Sequence, residues 1–139
     1  MGFSIRIAVR SYELDSLGHV NQAVYHQYGE VARMRGFRAA GCDWERLMAD
    51  RTAPVLLSTT VNFRRELRGD DEVDVSCVVK FGAGKTFVLE QLFTKPDGTV
   101  AAEMHGVFGL MDLDARKLFA DPRAVLEAAG FDSTALNGE

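Results

Sequence analysis

The chain has 139 residues, of which 47% are apolar and 26% charged, the make-up of one globular domain with its own core. Sixteen Lys and Arg stand against twenty Asp and Glu, giving a net charge of −4, so the electrostatic footprint of a nucleic-acid binder is missing. No apolar run approaches the roughly 20 residues of a membrane-spanning helix.

At the start of the chain, Phe3, Ile5, Ile7 and Val9 alternate with Ser4, Arg6, Ala8 and Arg10, the period of a half-buried strand. Arg6 and Arg10 also interrupt any apolar signal-peptide core. From Asn21 to about Ala40 the spacing becomes helical, with Asn21 suited to cap the start and Gly41 to end it. The expected inward stripe is Val24, Tyr28, Val31 and Met34, with Ala32 on its shoulder and Arg35 interrupting it. A short helical turn is expected over Trp44 to Ala49.

The remainder reads as strands. Val55, Leu57, Thr59, Val61 and Phe63 alternate with Leu56, Ser58, Thr60, Asn62 and Arg64, and Val73, Val75, Cys77, Val79 and Phe81 with Glu72, Asp74, Ser76, Val78 and Lys80, with Arg68-Gly69-Asp70-Asp71 as the turn between the runs. Phe87 to Thr94 and Val100 to Asp112 flank Pro96-Asp97-Gly98 and predict a hairpin. Val100 to Met111 is apolar on both faces, which suits a central strand. Pro122 to Ala129 predicts a short helix, and the last ten residues are expected to fray. The order of strand, long helix and four strands makes a single α+β domain over residues 1–139, a five-stranded antiparallel sheet with the helix on one face. Hairpin-length connections between consecutive strands exclude a βαβ nucleotide fold.

Cys42 and Cys77 lie far apart without a C-x-x-C spacing, so two buried free thiols in a reducing cytoplasm are expected. His26 and His105 have no spacing to each other, or to a carboxylate pair, that argues metal ligation. Neither a metal nor another cofactor is expected.

The segment from Tyr12 to Asn21 is the least ordinary part of the chain. It leaves the first strand, turns at Gly18 and delivers Asn21 to the helix start, bringing Asp15, His19 and Asn21 to the helix mouth. A helix N-terminus offers unpaired N–H groups and about half a positive charge, which suits a developing oxyanion. Asp15 beside it suits a nucleophile or general base; alternatively, Asp15 and Asn21 only cap turns. With Asn21 as the cap, Gln22 is the first residue whose N–H has no partner in the helix.

The run D-x-x-G-H-V-N-x-x-x-Y from Asp15 to Tyr25, followed by E-x-A-R from Glu30 to Arg33, resembles the 4-hydroxybenzoyl-CoA thioesterase-like branch of the hotdog-fold superfamily. Val61 to Val75 is similar to that family's second and third strands, Gly84 to Phe87 to its third turn, and Ala101 to Asp112 to its last strand. The resemblance covers residues of about 4–125. It implies a five-stranded antiparallel sheet wrapped around one long central helix, paired into a homodimer or homotetramer with acyl-CoA sites between subunits. It implies Asp15 as the catalytic carboxylate and Gln22 as the donor to the thioester carbonyl. His19 and Asn21 match the variant of its long-chain and bacterial relatives. Catalytic roles are therefore expected for Asp15, His19, Asn21 and Gln22, and substrate contacts for Gly18, Tyr25 and Lys85, the last at a position that meets CoA phosphates. Glu30 occupies the helix where another hotdog branch carries its carboxylate, although a surface or subunit-contact pair with Arg33 is the reading preferred here.

Thioester hydrolysis needs only a base or nucleophile and an oxyanion site, because thiolate leaves unprotonated. No Gly-x-Ser-x-Gly elbow is present. A hotdog dehydratase of 3-hydroxyacyl thioesters is a rival, yet Pro54, Pro96 and Pro122 stand in no His-Phe-Pro-Gly type run. A non-catalytic acyl-thioester-binding dimer and a thioesterase for acyl-carrier-protein substrates stand as rivals too.

Overall fold

The computed structural model describes residues 2–137. Strand β1 (Phe3–Ala8) and a short 3-10 turn (Ser11–Glu13) lead to the long helix α1 (Gln22–Ala39) and to α2 (Trp44–Ala49). Strands β2 (Thr52–Phe63), β3 (Glu72–Phe81), β4 (Thr86–Thr94) and β5 (Val100–Asp112) follow, then the two-residue β6 (Lys117–Leu118) and helix α3 (Pro122–Ala128). The sheet runs β1-β3-β4-β5-β2, every pair antiparallel, with β6 folding back on the end of β5. This is the α+β arrangement anticipated from the sequence, with β6 as an addition.

One connection departs from expectation. Residues 68–71 do not join β2 to β3 as a hairpin, because β2 pairs only with β5, at the opposite edge from β1 and β3. Residues 64–71 cross over instead, and Leu67 is fully buried on the way. The backbone amides of Arg64 and Arg65 both donate to the Ala101 carbonyl, at 2.8 and 3.0 Å, and hold the exit from β2 against β5.

The inward face of α1 is also displaced from the predicted stripe. Tyr25, Tyr28, Gly29, Ala32, Gly36 and Phe37 are buried, whereas Val31 and Met34 are 41% and 43% exposed. Small residues explain the shift: glycine adds little to a hydrophobic pattern but lets the helix lie close against the sheet. A methyl group at Gly29 would come within 2.9 Å of the Met104 sulfur and 3.2 Å of the Gln91 side-chain oxygen.

Strands β3 and β4 alternate cleanly, with Val73, Val75, Cys77 and Val79 buried against Phe87, Leu89 and Phe93. By contrast β2 is an uncovered edge, and its expected inward residues Leu57 and Phe63 are about half exposed, at 49% and 52%. The C-terminal segment is not frayed over its described part. Phe131 and Leu136 are buried, and the Leu136 carbonyl accepts from Val79 N–H at 2.7 Å; residues 138 and 139 lie outside the described residues. Cys42 and Cys77 are free and buried, and burial pushes the Cys77 thiol up to about 12. No helix among the described residues is long and apolar enough to cross a membrane.

Candidate active site

The loop from Leu14 to Val20 is a small hairpin closed on itself. Leu14 and Val20 bridge its ends, Asp15 N–H donates to the His19 carbonyl at 2.7 Å, and Gly18 N–H donates to the Asp15 carbonyl at 3.1 Å. Gly18 has φ +80°, a backbone region that side chains with a Cβ rarely occupy, so glycine is what lets the turn close. The Asp15 carboxylate braces this loop through Oδ1, which accepts from Leu17 N–H at 2.9 Å and His19 N–H at 3.1 Å. Its Oδ2 makes no hydrogen bond among the described residues.

Two carbonyls set the helix mouth behind the loop. Asn21 N–H donates to the Glu13 carbonyl at 2.9 Å, and Val20 N–H to the Leu67 carbonyl on the crossover at 2.8 Å. Asn21 is extended, at φ −60° and ψ 138°, and its side-chain oxygen accepts from Ala23 N–H at 2.9 Å. It is thus the N-cap the sequence indicates. The cap serves Ala23, so the N–H of Gln22, first in the helix, keeps no acceptor among the described residues.

Asp15, His19, Asn21, Gln22 and Tyr25 line one cleft of about 430 Å³ at this mouth. Sequence reasoning therefore placed five of its site residues in a common space. The end of β2, Phe63, and the first crossover residues, Arg64 to Glu66, line the same cleft, which the sequence did not flag. Tyr25 is buried and meets Phe63 edge-on at 5.1 Å and Phe93 at 5.5 Å. Burial raises its phenol above the ordinary range, partly offset by a backbone hydrogen bond from Leu67. His19 is half-buried, with Nε2 at 4.0 Å from Glu66 Oε1. Glu66 is held below the usual carboxylate range, first by its hydrogen bond from Arg68 and then, among smaller causes, by His19.

Arg64 is committed to Glu103, with Nε at 2.7 Å from its Oε1. Arg65 spends Nη1 on the Arg64 carbonyl at 2.9 Å and makes no ion pair among the described residues. The cleft rim therefore carries an exposed, unpaired cation. Lys85 is exposed on the turn between β3 and β4 and does not line this cleft within one protomer. Glu30 and Arg33 do not form the surface pair that their spacing suggests. Arg33 turns inward, donating to Gln91 Oε1 at 3.1 Å over the ring of Phe108, 5.1 Å from its centroid, while Glu30 stays exposed. No cluster of three His, Cys, Asp or Glu able to hold a metal occurs among the described residues.

Comparison with known proteins places this cleft in a wider setting. Residues 9–129 match the family model of the thioesterase-like superfamily. The chain is 31% identical over 116 residues to the long-chain acyl-CoA thioesterase FadM of Escherichia coli, covering 83% of this chain and 87% of that protein. It is 26% identical over 109 residues to the chloroplastic acyl-acyl carrier protein thioesterase ATL3 of Arabidopsis thaliana, covering 78% of this chain but 57% of that protein. Among solved structures, the probable thioesterase YbaW of Escherichia coli superposes with a TM-score of 0.83 at 28% identity, over 96% of this chain and 98% of that one.

Proposed function

The chain belongs to the thioesterase-like superfamily, and from that premise we propose that it hydrolyses acyl-CoA thioesters to free acid and CoA at the mouth of α1. One observation carries the assignment to this cleft: Asp15, whose Oδ2 is unengaged, and Gln22, whose N–H is unpartnered, both line it.

The thioester carbonyl lies against the Gln22 N–H, where the helix dipole stabilises the negative charge that develops on oxygen. Asp15 then acts in one of two ways. As a nucleophile its Oδ2 bonds to the carbonyl carbon, the C–S bond breaks, CoA leaves as thiolate, and water hydrolyses the resulting mixed anhydride. As a general base it takes a proton from water, whose oxygen bonds to the carbonyl carbon, and the C–S bond then breaks with CoA leaving as thiolate. In either route Oδ1, held by two backbone N–H groups, fixes the carboxylate. Asn21 orients the Gln22 N–H by capping its neighbour, His19 and Gly18 shape the loop, and Tyr25 with Phe63 forms an apolar wall for the acyl group beside the carbonyl.

The reading extends to a homodimer, since β2 is an uncovered edge that a second copy can continue, and to the cytoplasm, whose reducing conditions suit two free buried thiols. Release of free thiol from a series of saturated acyl-CoAs, run beside the matching acyl-carrier-protein esters, tests the activity. Turnover of CoA esters supports the proposal. Turnover of carrier-protein esters alone would replace the carrier, an outcome favoured by the ATL3 likeness, and turnover of neither would leave an acyl-thioester-binding protein.

A further inference from the structure

The crossover from β2 to β3 meets the Asp15 loop through its backbone. Val20 N–H donates to the Leu67 carbonyl at 2.8 Å, and His19 forms an isolated bridge with Arg68. Leu67 itself is fully buried and anchors this stretch in the core. Arg68 N–H donates to Asp71 Oδ2 at 2.9 Å and closes the turn that follows. Glu66 therefore projects from a well-held backbone next to the loop that carries Asp15.

Asp15 and Glu66 are the two carboxylates that line the cleft. An unpaired second carboxylate would oppose the negative charge that develops on the thioester oxygen. Glu66 is not unpaired: its Oε1 accepts from Arg68 Nη2 at 2.9 Å and stands 4.0 Å from His19 Nε2. Arg68 offsets the charge and fixes the carboxylate through a charge-assisted bond. His19 is in turn joined to Asp15 by both of its backbone groups. Its N–H donates to Asp15 Oδ1 at 3.1 Å, and its carbonyl accepts from Asp15 N–H at 2.7 Å. A continuous line of contacts thus runs from Arg68 through Glu66 and His19 to Asp15.

We propose that Glu66 is a positioning residue for the hydrolysis: by holding the His19 ring it fixes the backbone N–H that aims the Asp15 carboxylate. This rests on the thioesterase reading for the reaction it serves, while the hold on the loop is measurable without substrate. The His19 and Glu66 side chains are both partly exposed, where an ion pair is worth a few-fold. Misplacing a reacting group by about 1 Å costs on the order of 100-fold. Glu66→Ala should fall between these limits and lower kcat roughly five- to twentyfold, with KM for acyl-CoA changed less than twofold.

Two further variants separate positioning from chemistry. Glu66→Gln keeps an oxygen toward Arg68 and His19, so its kcat should stay within about twofold of the wild type. In a His19→Ala background, which lacks the ring, Glu66→Ala should cost less than about twofold. Equal losses in Glu66→Ala and Glu66→Gln overturn the inference, because they make Glu66 itself a proton acceptor. Equal losses with and without the His19 ring also overturn it, as does an effect on KM alone. In the substrate-free protein, Glu66→Ala should shift the NMR signals of the His19 ring while leaving those of His26 and His105. It should also speed amide exchange at Leu17 and His19, the two donors to Asp15, at least threefold. Unchanged exchange at both amides overturns the inference whatever the rates do. Faster exchange in a protein whose wild type hydrolyses no acyl-CoA would refute the thioesterase reading and support the hold of Glu66 on the loop. Wild-type kcat in Glu66→Ala would refute this inference alone.

Discussion

The phenolic O–H of Tyr28, inside α1, donates to the buried carboxylate of Glu13, fifteen residues earlier on the loop that carries Asp15. The same Glu13 oxygen accepts from Arg10 N–H at 2.8 Å, and the Glu13 carbonyl accepts from Asn21 N–H. Glu13 thus ties the beginning of the loop, the cap and the second turn of the helix together, behind the site rather than in it.

Tyr28→Phe leaves that buried carboxylate one partner short, and should lower unfolding stability by about 1–3 kcal/mol, the usual cost of such a loss. The pH dependence has a defined sign. Burial first, then the bond to Glu13, raises the Tyr28 pKa above that of a free phenol. Stability from a raised pKa is fully present below the unfolded value, about 10, and is lost as pH rises from there through the folded value. In urea titrations the gap between wild type and Tyr28→Phe should be constant from neutral pH to about 10 and shrink above it. A gap that is absent at neutral pH would remove Glu13–Tyr28 from the loop's support.

Much of this was legible in the sequence because local rules govern it. Gly18, Asn21 and the residues between them specify a turn and a cap by their own chemistry, so the helix mouth emerged with Asp15 and Gln22 in place. The hairpin at Pro96-Asp97-Gly98 was legible for the same reason, with Lys95 N–H closing on the Thr99 carbonyl at 2.8 Å. What was not legible depends on partners far along the chain. Nothing local to residues 64–71 says that β2 pairs across the sheet with β5, and so nothing announced Arg65 and Glu66 as lining of the cleft. The face of α1 departs from the predicted stripe because its contacts also use Gly29 and Gly36, residues chosen for smallness. Arg33 was paired with Glu30 by spacing, yet Gln91 and the Phe108 ring, both distant in sequence, hold it instead.

Asp15→Asn tests the proposed chemistry with little structural change, because an amide oxygen can still accept from Leu17 and His19 N–H. If the carboxylate is nucleophile or base, kcat should fall at least ~100-fold, within the ~10²–10⁴ typical of positioned acid–base groups. Melting temperature should stay near that of the wild type, since the side chain is exposed. Retention of more than a tenth of kcat would move the catalytic role elsewhere, with Glu30 the next carboxylate to examine.

Assembly is expected to use β2. Of the two sheet edges, β1 is six residues long and exposes Ser4, Arg6 and Ala8, whereas β2 is twelve residues long and exposes Leu56, Leu57 and Phe63. Leu57 stands at the register shift between Leu56 and Ser58, and an edge lysine is a common device against strand addition. Light scattering should find a dimer or tetramer for the wild type, and Leu57→Lys should weaken association at least about tenfold, equivalent to about 1.4 kcal/mol. A wild-type monomer with full activity would exclude a site shared between subunits.

Recognition of the CoA phosphates separates Arg65 from Lys85. The family resemblance assigns that contact to Lys85, but within one protomer Arg65 is the unpaired cation on the rim of the Asp15 cleft. A phosphate held equally in ground and transition states changes KM and leaves kcat alone. Arg65→Ala should therefore raise KM for acyl-CoA about two- to fivefold, in keeping with the ~1 kcal/mol or less that exposed ion pairs contribute, with kcat nearly unchanged. Added salt should raise the wild-type KM in the same way and affect the variant less. Lys85→Ala should do the same only if a second protomer brings its β3–β4 turn to this cleft, so its effect should disappear in Leu57→Lys while that of Arg65→Ala persists. An unchanged KM in both variants would mean that neither cation meets the carrier, and would favour a protein carrier docking elsewhere on the surface.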